Sequence, residues 1–404
     1  MRFGELYKTP SCNGLSRPRA VRGEGYKMVN MGELFSNNII NDIYMERVQM
    51  NERELKKFLL KKGDLLFARQ SLVASGAGKC SIVNNIVEDT TFESHLIRVR
   101  LDESKANPLY YYYLFQLPYN PVKTIVNQCA QAGIRGTELI RVKVPFPTMK
   151  EQNRIANALF QYDNLIENNN KRIKLLEQMA ENLYKEWFVR FRFPGHEDVE
   201  FEEDIPSNWN YIQLSDIISF ERGISYSSAE INCDDGINLV NLKNIQSYGG
   251  FRREGKKIYN GKYKDSQIVK TGDLILGVTD MTQDRRTVGA VALMPVLDGT
   301  SVISADLVKI ESQVPNQFLY CMCKYGFYSK YFSQFANGAN VLHLKPNTLL
   351  NKKILLPTED LIETFTKKVK PMINIIDKIN LQNDILIKQR DLLLPRLMSG
   401  KLEV

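Results

Sequence analysis

Long apolar runs are missing from this 404-residue chain. No stretch approaches the roughly 18 apolar residues of a membrane-spanning helix, and Met1-Arg2-Phe3-Gly4-Glu5 does not lead into the apolar core of a signal peptide. Cysteine and histidine are few and scattered: Cys12, Cys80, Cys129, Cys233, Cys321 and Cys323, with His95, His196 and His343. No C-x-x-C spacing occurs. Cys321 and Cys323 would sit poorly placed on a helix, so a metal site is not expected. Thiols of this kind fit a reducing cytoplasm. No His-centred triad is available, and no paired carboxylates beside a lysine stand out as a nuclease centre. The expectation is a chain that catalyses nothing by itself.

Two short matches to catalytic motifs do not hold. Asn107-Pro108-Leu109-Tyr110 is close to the Asp/Asn-Pro-Pro-Tyr/Phe signature of amino-methyltransferases. The second proline is absent and no glycine-rich turn precedes it; Asn107 followed by Pro108 reads instead as a helix start. Gly76-Ala77-Gly78-Lys79-Cys80 has a lysine after glycine but lacks the earlier glycine and the Ser/Thr of a phosphate loop.

What the chain does have is unevenly placed charge. Residues 1–150 carry 22 Lys/Arg against 14 Asp/Glu, and residues 207–356 carry 17 against 13. Between them, residues 151–206 carry 7 against 12. Two basic segments around an acidic one suit a polyanionic partner, because cations that neutralise phosphates release counterions.

The second half also repeats the first, at an offset of 210 residues. Pro147-Thr148 returns as Pro357-Thr358. Met28-Val29-Asn30-Met31 parallels Leu239-Val240-Asn241-Leu242, Gly63-Asp64-Leu65-Leu66 parallels Gly272-Asp273-Leu274-Ile275, and His95–Val99 parallels Asp306–Ile310. A period this long marks a duplicated domain rather than a solenoid, whose repeats run about 20–50 residues. Short strand patterns bounded by Gly, Asn and Asp dominate each copy, with helices expected over Pro108 to about Asn120 and about Pro315 to Phe335.

Each copy ends in a long helical pattern. Ile155, Leu159, Tyr162, Ile166, Asn169, Ile173, Leu176, Ala180, Leu183 and Trp187 advance by alternating fours and threes. So do Phe365, Val369, Met372, Ile376, Ile379, Asn383, Leu386, Arg390, Leu393 and Leu397. That is the 3.5-residue period of a coiled-coil seam. Helices over Lys150–Phe188 and Leu361–Met398 are too long to stand alone. Antiparallel pairing about their midpoints sets Asn169 opposite Asn383, two polar seam residues of the kind that fix register. The linker 190–208, with Pro194-Gly195 and an acidic run, is expected to be extended and exposed.

Val144-Pro145-Phe146-Pro147 with Glu151–Ala156 resembles the central conserved region of type I restriction–modification specificity subunits, and Gln389–Gly400 resembles the second such region. Arg222-Gly223 and Gly272–Ile275 resemble strand motifs of the target-recognition domains. One departure is visible: Ile205-Pro206-Ser207-Asn208-Trp209 leads into the second copy, whereas the first opens directly at Met1–Leu6. The resemblance implies an α+β chain with two tandem mixed α/β target-recognition domains, each followed by a long helix. The helices would pair as an antiparallel coiled coil with pseudo-two-fold symmetry. The expected parts are a first recognition domain (1–146), a first spacer helix (147–189), a linker (190–208), a second recognition domain (209–356), and a second spacer helix with tail (357–404). Implied partners are double-stranded DNA read as a split site, two modification (methyltransferase) subunits and, in the endonuclease, two restriction subunits. No cofactor is expected on this chain; S-adenosylmethionine belongs to the methyltransferase subunits, and ATP and Mg to the restriction subunits.

Direct readout needs Arg, Lys, Asn or Gln on rigid loops. Candidates are Arg69, Gln70 and Ser71 after one strand, Lys79 in the glycine loop, and Gln131 and Arg135 before the first helix. Their counterparts are Thr279, Arg285 and Arg286, with Asn340, His343 and Lys345. Two other readings compete: a catalytic enzyme with fused recognition domains, which the missing cofactor motifs disfavour, and a duplicated coiled-coil adaptor without a DNA role, which the basic loops disfavour. Tyr110–Tyr113 are read as helix core rather than a base-stacking platform.

Overall fold

The computed structural model describes residues 1–128, 132–231 and 234–402. They form two compact units, residues 1–167 with 385–404, and residues 168–384. The division therefore does not follow chain order: each unit takes one globular copy and a part of both long helices.

In the first unit, β1 (Tyr7–Asn13), β2 (Ile39–Ile40), β3 (Leu65–Ala68), β4 (Cys80–Val83) and β5 (Leu96–Leu101) form one sheet in the order β1-β5-β3-β4-β2. In the second, β6 (Ile218–Arg222), β7 (Leu274–Gly277), β8 (Val291–Leu293) and β9 (Leu307–Ser312) form a sheet in the order β6-β9-β7-β8. The repeat is thus a repeat of topology, and registers agree: Leu65 faces Val99 as Leu274 faces Ile310. A second small sheet recurs too, with Met28 paired in parallel to Thr91 and Leu239 to Val302.

The Gly-Asp signature is explained by the turn that feeds each central strand. Gly63 and Gly272 sit at φ +87° and +88°, a conformation that L side chains rarely adopt. The next residue closes the turn, since Asp64 accepts from the Lys61 amide and Asp273 from the Lys270 amide, both at 2.8 Å. Asp64 also holds Arg100 through both carboxylate oxygens, at 2.7 and 2.6 Å. β3 and β7, entered this way, are buried along their length.

Helix Pro108–Gln116 packs on the first sheet, capped by Asn107, whose side chain accepts from the Leu109 and Tyr110 amides. Tyr110 to Tyr113 are all buried in the core with Phe3, Phe67 and Phe115. The helix ends sooner than expected, because the chain turns at Leu117-Pro118 into a separate turn of 3-10 helix, Pro121–Ile125. Its counterpart is broken into Asn316–Tyr325 and Tyr328–Ser333. The break falls at Gly326-Phe327, where Phe327 takes φ +65°.

The long helices are α1 (Met149–Phe188) and α2 (Glu359–Met398). Thr148 and Glu151 cap α1 reciprocally, the Thr148 amide donating to Glu151 at 2.8 Å and the Glu151 amide to the Thr148 hydroxyl at 3.3 Å. α2 runs through Pro371 and Pro395, each of which costs about 3 kcal/mol inside an isolated helix. Buried Phe365, Val369, Leu394 and Leu397 flank those prolines and outweigh the lost backbone bonds. Gly400, at φ +71°, follows the helix end.

Within residues 168–384, Asn169 Nδ2 donates to Asn383 Oδ1 and Asn383 Nδ2 to Asn170 Oδ1, both at 2.9 Å. Phe188 then packs edge-on against Phe365, ring centres 4.9 Å apart, so the helices run antiparallel. Within the other unit, Asp163 receives both the Arg390 guanidinium and the Tyr113 hydroxyl. The same core holds Ala156 and Leu159 of α1 with Leu394 and Leu397 of α2.

The linker departs from expectation. It is not simply extended and exposed: Phe193 and Trp209 are buried in the second unit's core, and Phe201–Glu202 pairs with Ile205–Pro206. Phe191 and Phe193 of the linker, with Trp209 just beyond it, supply the apolar surface that holds it down.

The Asn layer gives a stability test. Asn383→Leu strands the buried Asn169 amide and should cost about 1–3 kcal/mol in urea unfolding. The double variant Asn169→Leu/Asn383→Leu should recover most of that loss. A double variant as unstable as the sum of its singles would show that the amide pair does not act as a unit.

Candidate nucleic-acid interface

β3 does not stop at Ala68. The chain continues into a two-residue strand, Gln70–Ser71, which pairs with Ala132–Gly133, itself paired with Asn127–Gln128. The pairing begins one residue earlier, where the Arg69 amide donates to the His95 carbonyl and the Arg69 carbonyl accepts from Ile134 at 2.9 Å. The second unit builds the same ladder: Thr279 pairs with His343 and Asp280 with Leu342. There the Val278 amide donates to the Asp306 carbonyl, and the Val278 carbonyl accepts from Leu344 at 2.8 Å. So segments far apart in sequence meet at one edge in each unit: 69–71 with 132–135, and 279–280 with 342–345.

The ladders share a backbone but differ in side chains. Gln70 occupies the place of Thr279, Ser71 that of Asp280, Gly133 that of His343, and Arg135 that of Lys345. Arg135, His343 and Lys345 are exposed. Gln70 is oriented by His95, whose Nδ1 lies 2.9 Å from Gln70 Oε1, leaving the amide nitrogen as a donor. His95 was not among the sequence candidates, since 25 residues separate it from Gln70. Its only signal is that it opens the repeated strand segment, where Asp306 stands in the other copy.

The loops beyond each ladder are held by the residue at its end. Ser71 Oγ accepts from the Val73 amide at 3.2 Å. Asp280, buried, does more: it accepts from Thr282 N and Oγ1, both at 2.9 Å, and from Thr287 N at 2.7 Å. Burial would raise its pKa, but the hydrogen bonds from Thr287 and Thr282 outweigh that and hold the carboxyl below its ordinary value. Gln283 donates to the Ala339 carbonyl at 2.7 Å, tying this loop to the hairpin Asn337–His343. Gly338 is required at that hairpin, because a Cβ there would lie 1.9 Å from the Val341 carbonyl oxygen. Asn340 is exposed at its tip.

Other candidates serve the scaffold instead. Lys79 donates to the Phe35 carbonyl at 2.6 Å and lies over the Phe35 ring; burial pushes its pKa down. Arg285, at φ +53°, donates to the Ser333 carbonyl. Thr279 is buried. Residue type at a loop marks all three, a criterion blind to backbone carbonyls that need a donor. Arg69 is half-buried beside the ladder, and exposed Arg286 pairs with Asp284 at 2.6 Å. Gln131 lies outside the described residues. Among the described residues, no group of His, Cys, Asp or Glu could hold a metal ion, and no helix is long and apolar enough to cross a membrane.

A family model described as the type I restriction modification DNA specificity domain matches residues 20–178. The chain is 27% identical to the type I restriction enzyme MjaIX specificity subunit of Methanocaldococcus jannaschii, over 90% of this chain and 84% of that protein. It is 21% identical to the HindI specificity subunit of Haemophilus influenzae, over 98% of this chain and 99% of that protein. The crystal structure of a type I S subunit from M. genitalium superposes with a TM-score of 0.60 at 14% identity, covering 98% of this chain and 95% of that one. Over most of its length the chain is thus similar to type I specificity subunits. The tandem fold seen here, two mixed units each carrying part of two long helices, is the fold of that family member.

Asp280→Asn tests the loop. It should leave the fold intact but cost about 1–3 kcal/mol locally, read as faster hydrogen exchange at Thr282 and Thr287. Because the folded pKa is depressed, the same loosening should appear in the unaltered protein as pH falls below about 4, the ordinary aspartate value, and onwards through the folded one. Unchanged exchange in both experiments would mean that Asp280 does not order the loop.

Proposed function

We propose that the chain is the DNA-recognition and scaffold subunit of a type I restriction–modification complex, with each unit reading one half of a split duplex site. The observation that carries this reading is the duplicated ladder. One backbone device is built twice, with equivalent cations at Arg135 and Lys345 and unlike polar groups, Gln70 in one ladder and His343 in the other. Equivalent cations suit phosphates, which look alike at both halves. Unlike polar groups suit base edges, which differ.

In this reading the chain does no chemistry itself. It positions two modification subunits, which bring S-adenosylmethionine and methylate adenine, and in the endonuclease it also carries two restriction subunits, which use ATP and Mg. The setting is the cytoplasm, where the DNA and these subunits reside. The adaptor alternative gains nothing from the structure, because an adaptor has no use for two edge ladders that present different polar groups from the same scaffold.

Arg135→Ala and Lys345→Ala should each weaken binding to every sequence alike and reduce the slope of log K against log salt by about one phosphate's worth. Gln70→Ala and His343→Ala should instead relax base preference, each in a different half of the site, by about 1–3 kcal/mol. Competition binding over a library of half-site variants, using the complex with its modification subunits, measures both. Identical profiles for all four variants would remove the ladders from the DNA surface.

A further inference from the structure

The loop that Asp280 ties down, residues 281–288, leads from the second unit's ladder to Gly289. Beside it lies a cavity of about 190 Å³, lined by Tyr248, Arg285, Arg286, Phe327, Ser329 and Lys330, with Lys324 also in its wall. Four of its lining residues are cations and none is a carboxylate. Two of the four have acidic partners: Lys324 meets Glu177 at 2.9 Å and Arg286 meets Asp284 at 2.6 Å. Arg285 is anchored to the Ser333 carbonyl. The exposed Lys330 ammonium has no partner among the described residues. The Ser329 hydroxyl is buried, and no described group bonds it. A surplus of cations beside an idle hydroxyl lacks an anion.

Backbone strain collects at the same place. Of the six described non-glycine residues at positive φ, three line this cavity: Tyr248 at +66°, Arg285 at +53° and Phe327 at +65°. The rings of Tyr248 and Phe327 are 59% and 63% exposed, so core packing does not offset the strain. The Tyr248 amide donates to the Arg286 carbonyl at 2.7 Å, which joins the two turns. The first unit has the same framework without these groups. The Gly78 amide, at φ +76°, donates to the Ala68 carbonyl as that of Gly289, at φ +79°, does to Gly277. An added Cβ at Gly78 would meet the Val122 side chain at 2.6 Å, and one at Gly289 the Ser329 carbonyl, also at 2.6 Å. Val122 thus stands in the place of Ser329 and Lys123 in that of Lys330, but Lys123 donates to the Pro118 carbonyl at 2.6 Å. The loop 72–77 carries no cation. The cation cluster is therefore an addition to the fold rather than a requirement of it.

We propose that this cavity is a phosphate site, and that the phosphate belongs to the DNA backbone beside the second unit's ladder. Lys330 and Arg286 neutralise its charge, the Ser329 hydroxyl offers a free donor, and the flanking rings limit competing water. The loop that carries Arg285 and Arg286 leaves the ladder directly, which sets a backbone contact next to the bases read there. This rests on reading the chain as a DNA-recognition subunit.

Methylphosphonate substitution, which neutralises one phosphate at a time, tests it. The scan runs along a duplex carrying the gapped motif that methylation mapping supplies, with the complex of this chain and its modification subunits. One substitution, in the half where His343→Ala relaxes base preference, should weaken binding about fivefold or more. In Lys330→Ala or Arg286→Ala complexes the same substitution should change binding less than about twofold, because the phosphate's partner is already gone. Both side chains are exposed, so the variants should fold, and circular dichroism checks them. A scan in which every substitution weakens the unaltered and Lys330→Ala complexes equally would empty the cavity of backbone phosphate. The phosphorus NMR signal of inorganic phosphate separates the two sources of the anion. Broadening by the full chain that Lys330→Ala removes, beside an uncoupled scan, would overturn the backbone assignment in favour of free phosphate. Motif-specific binding beside an uncoupled scan sinks the cavity alone, whereas no motif and no salt-dependent binding sinks the recognition reading and this site with it.

Discussion

Antiparallel register between α1 and α2 is the constraint from which the other features follow. Each compact unit is closed by parts of both helices, so a slip of one heptad would remove the wall of both cores. An apolar seam alone resists such slips weakly, since one leucine layer resembles the next. The buried amides of Asn169 and Asn383 do better. In register each satisfies the other, with Asn170 completing the layer; out of register both face apolar side chains unpaired, at about 1–3 kcal/mol each. This is specificity gained at some expense of stability, because a leucine pair would bury more apolar area.

Once the helices are fixed, each edge ladder inherits a rigid base. The sheets are entered through Gly-Asp turns, the central strands are wholly buried, and the ladders that carry Gln70 and His343 are direct extensions of those strands. A side chain placed by such a strand is held more narrowly than one on a free loop, which is what discrimination between base edges needs. Asp280 extends the same logic outward, converting a seven-residue excursion into a tethered loop through one carboxylate.

The duplication, the two long helices and the opposition of Asn169 and Asn383 could all be read from spacing, because a seam of fours and threes leaves little freedom. The neighbourhood of each candidate site was legible as well, since strand ends followed by polar residues mark edges. What could not be read was which polar residue would be drawn inward. Lys79 and Arg285 look like ideal phosphate ligands in sequence, yet each donates to a backbone carbonyl left open by a nearby short helix. Whether a lysine meets a carbonyl or a phosphate depends on contacts 44 or 48 residues away along the chain, which local patterns do not encode. The linker failed for a similar reason: its acidic run is conspicuous, while the three rings that pin it, Phe191, Phe193 and Trp209, act only once Phe188 is in place.

The two copies are not interchangeable, and a second polar layer in the helices shows why. Asp163 and Arg390 meet in the first unit, with Tyr113 completing the carboxylate's bonds. The residues 210 positions from them are Ile373, Ala180 and Cys323. In the second unit that region is a cavity of about 190 Å³, lined by Ala180, Ile373 and Tyr320 among others. Pairing α2 with another α2 about Asn383 would place Arg390 against Ile376, so that it would lose Asp163 and keep only its neighbour Asp391. The ion pair thus favours joining one copy's helix to the other's.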